Sequence, residues 1–310
     1  MEVNLTEATQ LLSSGHVVAV PTETVYGLAA ALDCPKAIDQ IFRLKNRPPN
    51  NPLIIHIAEL DQLVEFTPTM PAGISDLARA FWPGPLTLVL PVDVDLVPTQ
   101  VRAGLVTAAF RVPNHPLALE LLRNTGPLVM PSANLSGKPS STSRLHVETD
   151  FGGSFPVLDG GVCRSGIEST ILHREKDLWS IIRLGALSAE SFLPILGYVP
   201  QVVGHDAEKA PICPGQLFRH YAPRAKLILC ESNEQCKGPV IIGFSDRTYF
   251  PGASVLSLGL STSPESAAGN LYAVLRKLDQ EGIDEAWVDM SFPREGLWMT
   301  ILERLQKASH

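Results

Sequence analysis

The 310-residue sequence contains no apolar run approaching the roughly 18 residues that a membrane-spanning helix needs. It has no CxxC and no Cys/His cluster at metal-ligand spacing. Its five cysteines (Cys34, Cys163, Cys213, Cys230 and Cys236) are odd in number and read as reduced thiols with packing roles. Neither G-x-x-x-x-G-K-[ST] nor G-x-G-x-x-G occurs, so a bound nucleotide would have to be held without either Gly-rich cradle. There is no H-E-x-x-H, no nucleophile elbow and no carboxylate pair at a telling spacing. That points to catalysis by positioning and charge stabilisation, as in transfers at phosphorus. A basic surplus is missing too: residues 1–200 carry 14 Lys and Arg against 19 Asp and Glu, and residues 201–310 carry 11 against 13, giving -5 and -2 of the net -7. Neither half suits bulk neutralisation of a nucleic-acid backbone. The opening "MEVNLTEATQLLSSGHVVAVP" has acids where a secretory leader has bases, so a cytoplasmic location is expected.

What is present is ordinary globular material, 45% hydrophobic and 18% charged, in a length that suggests two domains. Leu5, Ala8, Leu11 and Leu12 form one helical face, with Asn4 placed to cap it and Gly15 to end it. Short apolar runs then recur at "HVVAVP", "PLIIHI", "LTLVLP", "VTAAFRVP", "GPLVMP" and "STILH", and helical patterns fall between several of them, notably "PKAIDQIFRLK" and "HPLALELLRN". This is α/β alternation. "AVPTETVYGLAA" (19–30) reads as a buried strand handing over to a helix, with Thr22, Glu23, Thr24 and Tyr26 crowded into the turn. Residues 197–225, rich in proline and glycine, read as a linker between a domain spanning 1–196 and a smaller α/β domain spanning 226–310. The 26 prolines exceed the usual share of about 5%, and many punctuate strand ends, which predicts rigid loops of specific shape.

Four stretches could carry chemistry. In "FRLKNRPPNNPLIIHI", Pro48 biases Arg47 toward extended backbone. Lys45 and Arg47 would then project together onto one anion, or else form a solvated basic helix end. Asn51 and His56 follow, the latter among apolar neighbours as either a ligand or a packing residue. In "VTAAFRVPNHP", Thr107, Ala109 and Arg111 share a strand face, and Arg111 needs either a substrate carboxylate or an internal partner. "MPSANLSGKPSSTS" places Ser132, Asn134 and Thr142 after a strand end, as phosphate or ribose donors or as a turn that caps a helix. "GIESTILHREKDLWSIIRLGALS" puts Ser169 at the start of one strand and Arg183 at the end of the next, like a hairpin.

Together with "WPGPLTLVL" and "PGQLFRHYAP", these motifs resemble, in order, the threonylcarbamoyl-AMP synthase family in its long two-domain form. The resemblance implies a YrdC-like twisted mixed sheet with helices forming a concave cleft, followed by a smaller Rossmann-like α/β domain. It implies condensation of L-threonine, bicarbonate (or CO2) and ATP to threonylcarbamoyl-AMP and pyrophosphate, by a nucleotidyltransferase that uses Mg²⁺ held mainly by the ATP phosphates. A separate transferase would then modify tRNA. By the same resemblance Lys45 and Arg47 are catalytic; Arg47, Asn51, Thr107, Asn134, Thr142, Arg183 and Tyr221 address ATP, with Tyr221 as a lid. Thr24, His56, Arg111, Ser132 and Ser169 surround threonine. Two other readings stand beside it: an RNA-binding module using the concave surface, and the carbamoyl-AMP chemistry of hydrogenase maturation, whose additional modules this chain lacks.

Overall fold

The computed structural model describes residues 1–175, 177–204, 213–214 and 220–309. The first part runs β1 (Glu2–Val3), α1 (Leu5–Ser13), β2 (Val18–Val20), β3 (Gly27–Ala31), α2 (Pro35–Lys45), β4 (Ile54–His56), α3 (Ile74–Phe81) and β5 (Leu86–Pro91). It continues through β6 (Thr107–Arg111), α4 (Pro116–Thr125), β7 (Leu128–Val129), α5 (Arg144–Phe151), β8 (Val157–Leu158), β9 (Thr170–Glu175), β10 (Leu178–Arg183) and α6 (Leu193–Leu196). Among the described residues its ten strands form one mixed sheet in the order β1-β8-β2-β3-β7-β4-β6-β5-β9-β10.

Local chemistry accounts for many of these bounds. The Asn4 side chain accepts the Glu7 N–H at 3.0 Å and Glu7 Oε2 accepts the Asn4 N–H at 2.8 Å, a reciprocal box that starts α1. Pro35 opens α2, Ala37, Ile38 and Ile41 bury one face of it, and Asn46 ends it in the left-handed region at φ 52°. Burying each of those isoleucines contributes about 1.5–3 kcal/mol. Ser143 caps α5 by accepting from His146 N–H.

Two expectations are corrected. Residues 19–30 pass from strand to strand: β2 pairs antiparallel with β3, Val18 opposite Ala29 and Val20 opposite Gly27. Both strands are apolar throughout because both sheet faces are covered, a pattern that periodicity cannot separate from a buried helix. Lys45 and Arg47 do not share an extended segment, since Lys45 is the last residue of α2 and the left-handed Asn46 separates them. The stretch read as a linker is docked where it is described. Ile181 N–H donates to Gln201 O and Val203 N–H to Ile181 O, both at 2.8 Å, and Cys213 packs with Ile54, Val89, Ala109, Ile171 and Ile182 on one sheet face.

The second part comprises β11 (Lys226–Cys230), β12 (Val240–Gly243), β13 (Ser254–Ser257), α7 (Pro264–Gln280), β14 (Glu285–Asp289) and α8 (Trp298–Ser309), with a parallel sheet in the order β11-β14-β12-β13. Ser263 caps α7, with Pro264 at the first position. The two parts share a core: Val25 and Ile167 from the first pack among the buried residues of α7 and α8. At Gly166 the backbones come so close that an added Cβ would lie 2.5 Å from Gly269 Cα. No helix among the described residues is long and apolar enough to cross a membrane.

Candidate active site

The polar turn after β2, the ends of β4, β6 and β10, the start of β9 and the loop after β7 meet around one cleft. Seven of the thirteen residues singled out from sequence line it: Thr24, Arg47, His56, Arg111, Ser132, Ser169 and Arg183. Parallel pairing of β4 with β6 sets His56 directly beside Arg111. Antiparallel pairing of β9 with β10 returns Arg183 to Ser169, where its Nη2 donates to Ser169 O at 2.8 Å and Oγ at 3.0 Å.

Arg47 is held by Asn51, whose Oδ1 accepts from Nη2 at 2.7 Å, and by Pro52 O, also at 2.7 Å. Burial, with Arg183 nearby, lowers the proton affinity of its guanidinium. Two cations facing one cleft raise the potential there and favour an anion between them. Arg111 meets Glu23 Oε1 at 2.8 Å and donates through Nε to Gly84 O at 3.2 Å, while Glu23 Oε2 accepts from Asn114 N–H at 3.0 Å. The internal partner weighed for Arg111 is therefore Glu23, which organises the turn. With Nη2 on Glu23 and Nε on Gly84 O, Arg111 Nη1 makes no hydrogen bond among the described residues. A carboxylate entering the cleft would meet that edge of the guanidinium.

The remaining six candidates lie outside the lining. Lys45 is 1% exposed and donates to Ser132 O and, at 2.6 Å, to Asn134 O, so it ties the end of α2 to the loop after β7. Burial, then Arg47, holds its pKa well below the usual lysine value. Its expected exposure to solvent is thus corrected, because helical backbone turns it inward. Asn51 supports Arg47; Asn134 donates to Leu135 O and Lys138 O and leaves a buried Oδ1 without a partner among the described residues. Thr142 is buried beside His146, with Oγ1 3.3 Å from Nδ1. Thr107 begins β6, about 13 Å along the strand from Arg111 at the usual rise. Tyr221 is buried against Tyr272, ring centroids 5.4 Å apart, and near enough to Arg47 to interact electrostatically. Residues 215–219 of the "PGQLFRHYAP" motif lie outside the described residues.

Sequence reasoning passed over Glu168 and named Thr22 only as part of the polar turn; both also line the cleft. Thr22 Oγ1 donates to Val25 O at 2.7 Å and lies 2.8 Å from Thr24 Oγ1, so it shapes the turn that presents Thr24. Tyr26 braces the same turn from behind, donating to Asp159 Oδ1 at 2.9 Å and Gly161 O at 2.8 Å. Gly185 lets β9 begin where it does, because a Cβ there would lie 2.3 Å from both Ser169 C and Thr170 N. Gly185→Ala is expected to weaken ligand binding at Ser169 and lower the melting temperature; calorimetric binding and thermal unfolding check this, and unchanged values for both refute it.

Buried histidines give a second expectation. Burial lowers the pKa of His56 well below normal, Arg111 adding to it, and brings His146 and His220 down to about 4. Each stays neutral in the fold at a pH where the unfolded chain, with pKa near 6.5, takes up a proton. Stability therefore falls as pH drops from about 6.5 toward 4, by up to about 1.4 kcal/mol per pH unit for each histidine. Thermal unfolding between pH 7.5 and 5 measures this, and a flat or rising melting temperature on acidification contradicts it.

Comparison with known proteins agrees with this geometry. Residues 10–185 match the family model described as "Telomere recombination", and residues 187–310 match "Threonylcarbamoyl-AMP synthase, C-terminal domain". The chain is 39% identical to the threonylcarbamoyl-AMP synthase of Bacillus subtilis, over 98% of this chain and 92% of that protein. It is 38% identical to the one from Pyrococcus abyssi, over 97% and 93%. The crystal structure of P. abyssi Sua5 complexed with L-threonine superposes with a TM-score of 0.91 at 35% identity, covering 100% of this chain and 97% of that one. Full-length HypF, at 17% identity over 29% of its own length and a TM-score of 0.52, shares the fold alone. Sheet, cleft and second domain define a two-domain α/β protein of the YrdC-like class. Within that class the chain belongs to the threonylcarbamoyl-AMP synthase family.

Proposed function

We propose that this chain is an L-threonylcarbamoyladenylate synthase, a nucleotidyltransferase acting on ATP. The observation that carries the reading is the convergence of Arg47, Arg111 and Arg183 with the hydroxyls of Thr24, Ser132 and Ser169 on one cleft. Such a site can hold two anionic substrates together and screen phosphate charge as it develops. The amine of L-threonine bonds to the carbon of bicarbonate with loss of water, or adds to CO2 with loss of a proton, to give N-carboxythreonine. An oxygen of its new carboxylate attacks the α-phosphorus of ATP, and the bond to the β,γ-bridged pyrophosphate breaks.

In this reading Arg111, held on one edge by Glu23 and Gly84 O, takes the carboxylate of threonine, with neutral His56, Thr24, Ser132 and Ser169 around the amino acid. Arg47 and Arg183 take the phosphates, with Asn51 and Lys45 fixing the loops that carry them. Thr107, Asn134, Thr142 and Tyr221 belong to the nucleotide side. No group of three metal-ligating side chains occurs among the described residues, and Glu168, the carboxylate lining the cleft, is occupied by Ser140, Tyr272 and Arg304. Mg²⁺ would be held mainly by the ATP phosphates. The product would pass to a separate threonylcarbamoyl transferase acting on tRNA, in the cytoplasm.

Incubation of the purified protein with ATP, bicarbonate and a panel of amino acids tests the assignment through pyrophosphate release. Release that depends on L-threonine and on bicarbonate is expected; release indifferent to threonine, or dependent on carbamoyl phosphate, overturns it.

A further inference from the structure

Glu168 poses an electrostatic problem for a cleft that receives anions. It is only 6% exposed and lines the same cleft as the three arginines, so its carboxylate would repel incoming phosphate or carboxylate if left uncompensated. Compensation comes from the other part of the chain. Arg304 on α8, wholly buried, donates through Nε to Glu168 Oε2 at 3.2 Å and through Nη2 to Leu184 O, next to Arg183, at 2.7 Å. Tyr272 on α7 donates to the same Oε2 at 2.8 Å, and Ser140 donates to Oε1 at 2.6 Å. The Arg304 guanidinium also stands 4.7 Å over the ring of Tyr221.

The charge count decides what this does. Arg47, Arg111 and Arg183 against Glu23 and Glu168 leave +1 around the cleft (3 − 2), and Arg304 makes it +2 (4 − 2). Glu303, the other carboxylate touching Arg304, is matched by Lys307 Nζ at 2.6 Å. Burial pushes the Glu168 carboxyl up, yet Arg304, then Arg183 and the hydrogen bonds from Ser140 and Tyr272, together more than offset it, so Glu168 stays ionised.

We propose that Arg304 is a positioning residue for the reaction: through it the C-terminal domain supplies the counter-charge of Glu168 and so sets the affinity of the cleft for its anionic substrates. This rests on the anionic-substrate reading above. The helix pattern is consistent with a dedicated role, since Ile301, Arg304, Leu305 and Ala308 share the buried stripe of α8, where an arginine is otherwise costly.

The test compares full-length wild type with Arg304→Met, Arg304→Lys, the double variant Arg304→Met/Glu168→Gln, and Thr300→Val, which removes the 2.9 Å bond from Thr300 Oγ1 to Gly185 O at the same interface. Readouts are KM for ATP and L-threonine, kcat by pyrophosphate release, and melting temperature. Arg304→Met is expected to raise both KM values roughly tenfold or more with a smaller change in kcat, the scale of coupling between contacting groups. Arg304→Lys should recover part of the loss by keeping the charge. The double variant should recover most of it, because no uncompensated carboxylate remains. Thr300→Val should lower the melting temperature without raising KM. The proposal fails if Arg304→Met leaves KM unchanged, if the double variant is no better than Arg304→Met, or if Thr300→Val raises KM equally. Should Arg304→Met not fold, the Lys and double variants decide by the same criterion against wild type. If wild type releases no pyrophosphate, the reaction assignment is what fails; ATP binding by calorimetry then reads the coupling, and equal Kd values for wild type and Arg304→Met overturn it.

Discussion

Arg47→Ala is expected to lower threonine-dependent pyrophosphate release by about 10²–10³-fold, out of proportion to a modest fall in melting temperature from the lost bonds to Asn51 and Pro52. The guanidinium is oriented on one edge by Asn51 and Pro52, and among the described residues its Nη1 makes no hydrogen bond. Its other surroundings are the cleft, Tyr221 and the cations Arg183 and Lys45, so its removal relieves repulsion that partly offsets the lost bonds, while the loss of affinity and rate appears when an anion is present. Arg47→Lys should not restore the rate, because a point charge cannot reproduce a fork held at one edge and donating at the other. Initial rates and thermal unfolding on the same preparations check both statements. Near-wild-type turnover in Arg47→Ala would remove the phosphate role. Lys45→Ala offers the contrast: it orphans the carbonyls of Ser132 and Asn134, so any loss of activity there should come with a lower melting temperature.

Glu23→Ala is expected to destabilise the protein by about 3–5 kcal/mol, the usual cost of leaving one member of a buried ion pair without its partner. For a chain of this size that corresponds to a fall of roughly 10 °C in melting temperature. Glu23 and Arg111 are both almost fully buried and meet at 2.8 Å, and Glu23 also accepts the Asn114 N–H. The double variant Glu23→Leu/Arg111→Leu should be less destabilised than the sum of the two single variants, since no unpaired charge remains. It should nevertheless lose L-threonine binding, because Arg111 is gone. Additive losses of stability would mean that the pair is not coupled, and retained threonine binding would remove Arg111 from the substrate role.

Much of the fold was legible. The helices at 35–45 and 264–280 follow from proline at the first position, an apolar stripe and a stop, signals that are local and therefore survive in one dimension. Short buried strands such as β4 and β6 announced themselves as apolar runs between punctuating prolines. The two-residue strands β1, β7 and β8 are different, because their existence depends on partners distant in sequence, as in Glu2 against Val157. The same holds for β3: its Gly-Leu-Ala-Ala-Ala run is compatible with helix, and the antiparallel partner β2 makes it strand.

The site divides along the same line. Arg47, Arg111 and Arg183 stood out because a charged residue beside an apolar run must find a partner, a constraint visible in the residue order itself. The in-register motifs then named the chemistry to expect. What they could not contain is which partner each charge finds. Arg111 meets Glu23 across 88 positions of sequence, Lys45 turns inward to two carbonyls of a distant loop, and Glu168 is compensated by Arg304, 136 residues away. The sequence by itself determined the types of group available, the order of the elements and the need for anion-binding chemistry, since these depend on side-chain identity and near-neighbour spacing. The tertiary structure alone decided which charges cancel and which remain for a ligand. Coulomb energy and desolvation depend on distance and burial, and both are properties of the folded chain.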